Sequence, residues 1–264
     1  MKAKRSLGQN FLVDQSVVDR IVSAAGVRAG ETVVEIGPGR GALTAGLRAL
    51  ADQYICIEKD DALAAQLDRQ FADDDRSWVV NGDALEMMPD ALPVPGPYRV
   101  VANLPYNVGG RITMHLLENW SGDVSAATLM FQREVANRLA AVHGTKAYGA
   151  LSVLVQSMAE VWPLFGVPPG AFRPVPKVQS RVVRLQPRPE PLWAGLDYER
   201  FRAVVHGGFQ SRRKTLMNSL INATGLTNDV DAIRAAVQEA GLDGGVRPDN
   251  IPVAGWIALT RSLP

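Results

Sequence analysis

Four consecutive residues, Asn103-Leu104-Pro105-Tyr106, follow an apolar run, Tyr98-Arg99-Val100-Val101-Ala102, and suit one chemistry. An amine attached to an aromatic ring has its lone pair drawn into the ring and is a poor nucleophile. A site that methylates it must hold both amino hydrogens with acceptors and clamp the ring. Asn103 offers a side-chain carbonyl oxygen and Leu104 a backbone one. Pro105 stiffens the turn and restricts Leu104 to extended backbone angles. Tyr106 then supplies a flat face for a base turned out of its stack. A strand-end turn carrying an asparagine is common, so these four residues alone do not separate a site from a simple turn.

A second feature does. Val33-Val34-Glu35-Ile36 reads as a short buried strand running into Gly37-Pro38-Gly39-Arg40-Gly41, and Ala42-Leu43-Thr44-Ala45 opens a helix. Glycines let a backbone approach a ligand closely and adopt positive φ. The spacing is Gly-x-Gly-x-Gly with a carboxylate two residues ahead, not the Gly-x-Gly-x-x-Gly that cradles a pyrophosphate. A ligand without phosphate needs no anion nest, and S-adenosylmethionine, with its amino-acid tail and cationic sulfonium, fits. A further strand, Tyr54-Ile55-Cys56-Ile57, ends at Glu58, whose carboxylate can accept from both ribose hydroxyls. Another, Trp78-Val79-Val80, leads to Asp83, placed to meet an adenine amino group. Gly37 and Gly39, Glu58, Asp83 and Asn103 thus stand in order at strand ends, where open α/β sheets bind their ligands. Four ordinary strand caps in succession would be an unusual coincidence.

The elements that must position these residues follow from the pattern. Asp14 is a good N-cap for a helix over 14–26 with Val17, Val18, Ile21, Val22 and Ala25 on one face. From 31 to about 130, β-branched runs alternate with helical stretches at 42–51 and 60–72, which predicts a parallel sheet with helices on both faces. Residues 125–131 read as the next strand, a helix begins within Phe131–Leu139, and Leu151–Met158 is a further apolar element. The proline-rich link Pro187–Pro191 marks a domain boundary, so 1–186 forms the ligand-binding domain and 187–264 a small all-α domain suited to RNA. In the tail, helical spacing recurs over 198–209, 214–223 and 230–240, with a last helix near Pro252.

Composition sets limits. The 264 residues are 47% hydrophobic and 21% charged, enough apolar mass for one large domain and a small one. No apolar run of eighteen residues and no signal-peptide core occur, so a cytoplasmic protein with no membrane association is expected. The single Cys56 sits in an apolar strand and reads as buried and inert; His115, His143 and His206 are isolated and read as structural, so no metal is expected. Net charge is only +1, but between 171 and 215 ten basic residues face Glu190, Asp197 and Glu199, a local excess of +7. Lys2, Lys4 and Arg5 add to it. Such a patch binds phosphates by counterion release. Within it Phe172, on the proline-stiffened Phe172–Val178 loop, is expected to cover the target ring opposite Tyr106.

Ser6–Leu12, Glu35–Gly41, Asn103–Asn107, Phe131–Glu134, Phe172–Val178 and Arg212–Leu216 together resemble the ribosomal RNA adenine N6-dimethyltransferases, above all their bacterial small-subunit branch. The blocks span nearly the whole chain in the family's order. The resemblance implies a Rossmann-like S-adenosylmethionine-dependent methyltransferase sheet with a small C-terminal all-α domain. It implies dimethylation of two adjacent adenosines in a hairpin loop near the 3′ end of 16S rRNA, on an immature small ribosomal subunit; a monomer is expected. It implies further that Asn10 and Leu12 touch the cofactor together with Gly37, Glu58, Asp83 and Asn103. Two departures stand out. Val108-Gly109-Gly110-Arg111 replaces the family's more usual small polar residue and proline, which is expected to loosen the loop behind Tyr106. The arm before Gly8 is short, so part of an RNA contact is expected to be missing. The rival readings are a 23S rRNA adenine dimethyltransferase of the macrolide-resistance type, an adenine-N6 DNA methyltransferase, and a non-catalytic ribosome-assembly or transcription factor on the same fold.

Overall fold

The computed structural model describes residues 10–211, 213–223, 226 and 229–264. Lys2, Lys4 and Arg5, the arm before Gly8 and Arg212 lie outside the described residues. A two-residue strand β1 (Phe11–Leu12) leads to α1 (Gln15–Ala25), β2 (Thr32–Ile36), α2 (Thr44–Leu50), β3 (Gln53–Glu58), α3 (Asp61–Phe71) and β4 (Ser77–Asn81). Then come β5 (Tyr98–Asn103), α4 (Gly109–Asn119), β6 (Val124–Gln132), α5 (Arg133–Leu139), α6 (Ala150–Met158) and β7 (Ala159–Val167). The chain continues through β8 (Phe172–Arg173), β9 (Ser180–Pro187), α7 (Tyr198–Phe209), α8 (Leu216–Ile221), α9 (Val230–Glu239) and α10 (Val253–Ser262). None of the described helices is long and apolar enough to cross a membrane.

Seven strands form one sheet in the order β4-β3-β2-β5-β6-β9-β7. β4, β3, β2, β5 and β6 are mutually parallel and β9 runs antiparallel to β6. Val33, Val34, Ile55, Ile57, Val100 and Val101 are fully or almost fully buried, as strands covered on both faces require. The chain moves outward from β2 through β3 to β4, then returns to β5 on the other side of β2, so a topological switch point lies between β2 and β5. Register places Ile36 opposite both Ile57 and Ala102, which sets Gly37, Glu58 and Asn103 level at one edge. At the opposite edge Arg99, buried in β5, is held by Glu31 through two bonds of 2.8 and 2.7 Å and donates to the Ala25 carbonyl at 3.1 Å.

Local sequence explains the ends of these elements. The Asp14 carboxylate accepts from the N–H groups of Ser16 and Val17 at 3.0 and 3.3 Å, and Gly26 ends α1 with φ of 60°. Asp60 caps α3 through Ala62 at 3.1 Å. Gly109 and Gly110 form the entry to α4, and a Cβ on Gly109 would lie 2.9 Å from the Phe131 ring. Gly109 therefore admits a close contact between α4 and β6. Four strands, β1, β7, β8 and β9, had no sequence expectation. β7 contains Pro163 and exposes Trp162 and Leu164, while β9 carries Arg181 and Arg184, which read as part of a charge patch.

The chain divides into two compact units, one running to Ala136 and resuming over Val161–Pro187, the other made of Asn137–Glu160 and Arg188–Pro264. The division differs from a single cut at 187, because α6 buries Val153, Leu154, Val155 and Met158 among the tail helices, notably α7 and α10. In this second unit Phe201, Val204, Leu220, Ile233 and Trp256 form the core, and the Phe209 and Trp256 rings stack with centroids 5.1 Å apart. Gly208 is required there: a Cβ would fall 2.2 Å from the Trp256 ring.

Candidate active site

A cavity of about 380 Å³ opens at the carboxyl ends of β2, β3, β4 and β5. Asn10, Leu12, Gly37, Gly39, Glu58, Asp83, Asn103, Leu104 and Tyr106 all line it. Gly37, Gly39 and Gly41 have φ of 66°, 61° and 82°, a region only glycine enters freely. Their N–H groups are used internally. Gly37 donates to the Ile57 carbonyl at 2.9 Å, Gly39 to Glu58 Oε2 at 3.0 Å and Gly41 to the Pro38 carbonyl at 2.9 Å. Those three donors are thus spent, and two buried carboxylates, Glu35 and Glu58, line the same cavity. A pyrophosphate would meet acid instead of a nest; a ligand bearing hydroxyls and positive charge fits the donor set.

Glu58 is aimed by its neighbours. Its Oε2 accepts from Gly39 and its Oε1 from the Asp60 N–H at 2.8 Å, so the carboxylate plane is set while each oxygen keeps a further lone pair. Asp83 accepts from the Leu85 N–H at 3.0 Å and pairs with Lys59 Nζ at 2.5 Å. Burial pushes the Asp83 carboxyl up, but the Lys59 ammonium and the Leu85 N–H outweigh it and hold it below the usual value. Asn103 ends β5, and its side-chain Nδ2 donates to the Asn10 carbonyl at 3.4 Å. That bond assigns the amide nitrogen to the amino-terminal segment and leaves Oδ1 as the acceptor end. The Tyr106 hydroxyl bonds Ser180 Oγ at 2.8 Å.

Glu35 is the carboxylate two residues before the glycines. It accepts from Thr44 Oγ1 at 2.8 Å and from the Tyr54 hydroxyl. Burial pushes its carboxyl up to about 7, against the lowering effect of those two bonds. The folded protein therefore binds this proton more tightly than the unfolded chain. The stabilisation from that difference is fully present below the ordinary value of 4.5 and is lost as pH rises through about 7. Denaturant unfolding across that window should show stability falling by up to ~3 kcal/mol from this group, and Glu35→Gln should flatten the slope. An unchanged slope in that variant would assign the pH dependence elsewhere. Cys56 is fully buried on the neighbouring strand, and burial pushes its thiol up, which makes it unreactive.

One expected site residue lies elsewhere. Phe172 is 0% exposed and sits in the core cluster with Leu12, Met130, Val167 and Val182; it does not line the cavity. Its strand β8 pairs with β1, Leu12 opposite Phe172, so the ring plugs the space under the amino-terminal segment and the proposed second face opposite Tyr106 is not supplied by it. The aromatic that does line the cavity beside the glycines is Phe11, which packs 3.4 Å from where a Gly39 Cβ would be and lies under the Arg40 guanidinium at 4.3 Å from its centroid. The period-two alternation of a strand was the available signal: with Leu12 inward, Phe11 must face the other way. Among the basic residues, Arg173 and Lys177 are exposed and Arg181 and Arg184 half-buried.

A mostly parallel sheet whose strand-end acids and glycine turn surround a cavity without a phosphate nest defines a Rossmann-like methyltransferase. The chain belongs to the ribosomal RNA adenine dimethylase family, whose sequence profile matches residues 1–260. It is 46% identical over 264 residues to a ribosomal RNA small subunit methyltransferase A of Xanthomonas axonopodis pv. citri, covering 98% of this chain and 95% of that one. A protein of the same name from Pseudomonas fluorescens is 40% identical over 263 residues, covering 99% and 93%. Among solved structures, the 23S rRNA methyltransferase ErmE superposes with a TM-score of 0.72 at 30% identity, covering 96% of this chain and 99% of that one.

Proposed function

We propose that this enzyme uses S-adenosylmethionine to dimethylate the N6 amines of two adjacent adenosines in the 3′-terminal hairpin loop of 16S rRNA, on an immature small subunit. The observation that carries the reading is the convergence of Asn103, Leu104 and Tyr106 with Glu58, Asp83 and the glycine turn on one cavity. Glu58 would hold the ribose hydroxyls, Asp83 the adenine amino group, and Asn10, Leu12, Gly37 and Gly39 the remainder of the cofactor. When bound, the cofactor's sulfonium supplies an electrophilic methyl and a neutral leaving group. Asn103 Oδ1 and the Leu104 carbonyl accept from the two N6 hydrogens, which turns the nitrogen lone pair toward that methyl, and Tyr106 stacks on the base. The gain is mainly positional. N6 becomes acidic once alkylated, so no strong base is required among the residues around it. The second methylation proceeds with one donor fewer, so the acceptors must tolerate a rotated monomethyl amine.

The basic residues from Arg173 to Lys214 and the helical unit would carry RNA phosphates, with the enzyme acting as a cytoplasmic monomer. Affinity for small subunits should then fall steeply with salt, by about three orders of magnitude between roughly 50 and 200 mM if some six phosphates are met. A flat dependence in a filter-binding titration would remove the patch as an RNA surface. A second reading, methylation of 23S rRNA, draws support from the likeness to ErmE. Offering unmethylated small and large subunits in parallel with labelled cofactor tests both: the proposal expects label in small-subunit RNA, and label confined to large-subunit RNA would replace it with the second reading.

A further inference from the structure

Tyr106 is fixed at both ends of its ring. Its backbone follows Pro105 off the end of β5, and its hydroxyl meets Ser180 Oγ at 2.8 Å. Ser180 is 0% exposed and opens β9, opposite Gln132 at the end of β6. The residues beside that pair lock the same point: the Arg133 N–H donates to the Gln179 carbonyl at 2.8 Å and Arg133 Nη1 to Gln179 Oε1 at 2.7 Å. Immediately ahead lies the 173–179 loop, with Arg173 and Lys177 exposed.

We infer that Ser180 is a positioning residue for methyl transfer, which sets the ring of Tyr106 and ties it to the basic loop that meets RNA. The inference rests on the reading of Tyr106 as the stacking face. A ring anchored only at Cβ can swing about χ1, whereas a bond to the para hydroxyl stops that swing. A phenolic O–H also lies in the ring plane, so its partner's direction biases the plane itself. Ser180 can impose both because it is held by the strand ladder and not by a mobile loop. Burial raises the pKa of the Tyr106 hydroxyl, so it stays protonated and keeps this bond throughout the physiological range.

The test is a double-mutant cycle on Ser180→Ala and Tyr106→Phe, read as kcat, KM for small subunits and cofactor affinity. Each single variant should lower kcat about five- to tenfold, the size of one lost hydrogen bond, with KM and cofactor affinity within about twofold of the unaltered protein. The double variant should be no slower than either single one. Tyr106→Phe removes the same bond without touching β9, so it answers even where Ser180→Ala folds poorly. Multiplying losses in the double variant, or full activity in Tyr106→Phe, would overturn the inference. Parallel drops in cofactor affinity and melting temperature for both variants would also overturn it, reducing Ser180 to a structural residue. Absence of transfer by the unaltered protein would instead overturn the reading of function on which the inference stands.

Discussion

Asn103→Ala is expected to stop methyl transfer, lowering kcat by roughly 10²- to 10³-fold or more, while the protein still folds. The expectation follows from what the side chain does and does not hold. Its backbone stays paired with Met130 of β6 at the end of β5 and does not need the amide. Among the described residues the side chain makes one hydrogen bond, 3.4 Å from Nδ2 to the Asn10 carbonyl, and it is half-buried. Losing it costs little stability but removes the acceptor for an N6 hydrogen and frees the Asn10 segment. Asn103→Asp separates the two roles, because it keeps acceptors yet cannot donate to Asn10 and brings a charge. It should recover only a small part of the loss. Single-turnover assays with cofactor affinity measured alongside would show this; near-normal turnover in Asn103→Ala would remove Asn103 from the mechanism.

Glu58→Ala should weaken S-adenosylmethionine binding by about 3 kcal/mol, roughly a hundredfold. The carboxylate is buried, and its two oxygens are oriented by Gly39 and Asp60, so its free lone pairs are directed before any ligand arrives. Truncation loses those acceptors and also releases the Gly39 N–H, which unpins the glycine turn over the cavity. Calorimetric titration reads the affinity directly. Wild-type affinity in a folded Glu58→Ala variant would mean that this strand end does not meet the ribose.

The parallel half of the molecule was legible because its signals are local. Asp14 and Asp60 cap helices within the expected limits, and the β-branched runs around Val33, Ile55 and Val100 admit only buried strands. Strand-end residues then share one edge by topology alone, which is why Glu58, Asp83 and Asn103 could be named without coordinates. Three features were not legible for identifiable reasons. Phe172 opens a proline-rich stretch that reads as a loop, but it lies in β8, and its pairing with Leu12 is a contact across 160 residues of chain. β9 hid behind Arg181 and Arg184, which stand three residues apart and so break the period-two alternation that marks a strand. The union of α6 with the tail helices depends on which apolar faces meet, and no sequence spacing records that.

The measurement that bears most directly on the central claim is nucleoside mass spectrometry of 16S rRNA. Small subunits lacking the two N6,N6-dimethyladenosines would be incubated with the pure protein and S-adenosylmethionine. The account predicts N6,N6-dimethyladenosine at both adjacent positions near the 3′ end, approaching full occupancy, and none with Asn103→Ala. Unmodified adenosine at both positions, from protein shown to bind the cofactor, would contradict it.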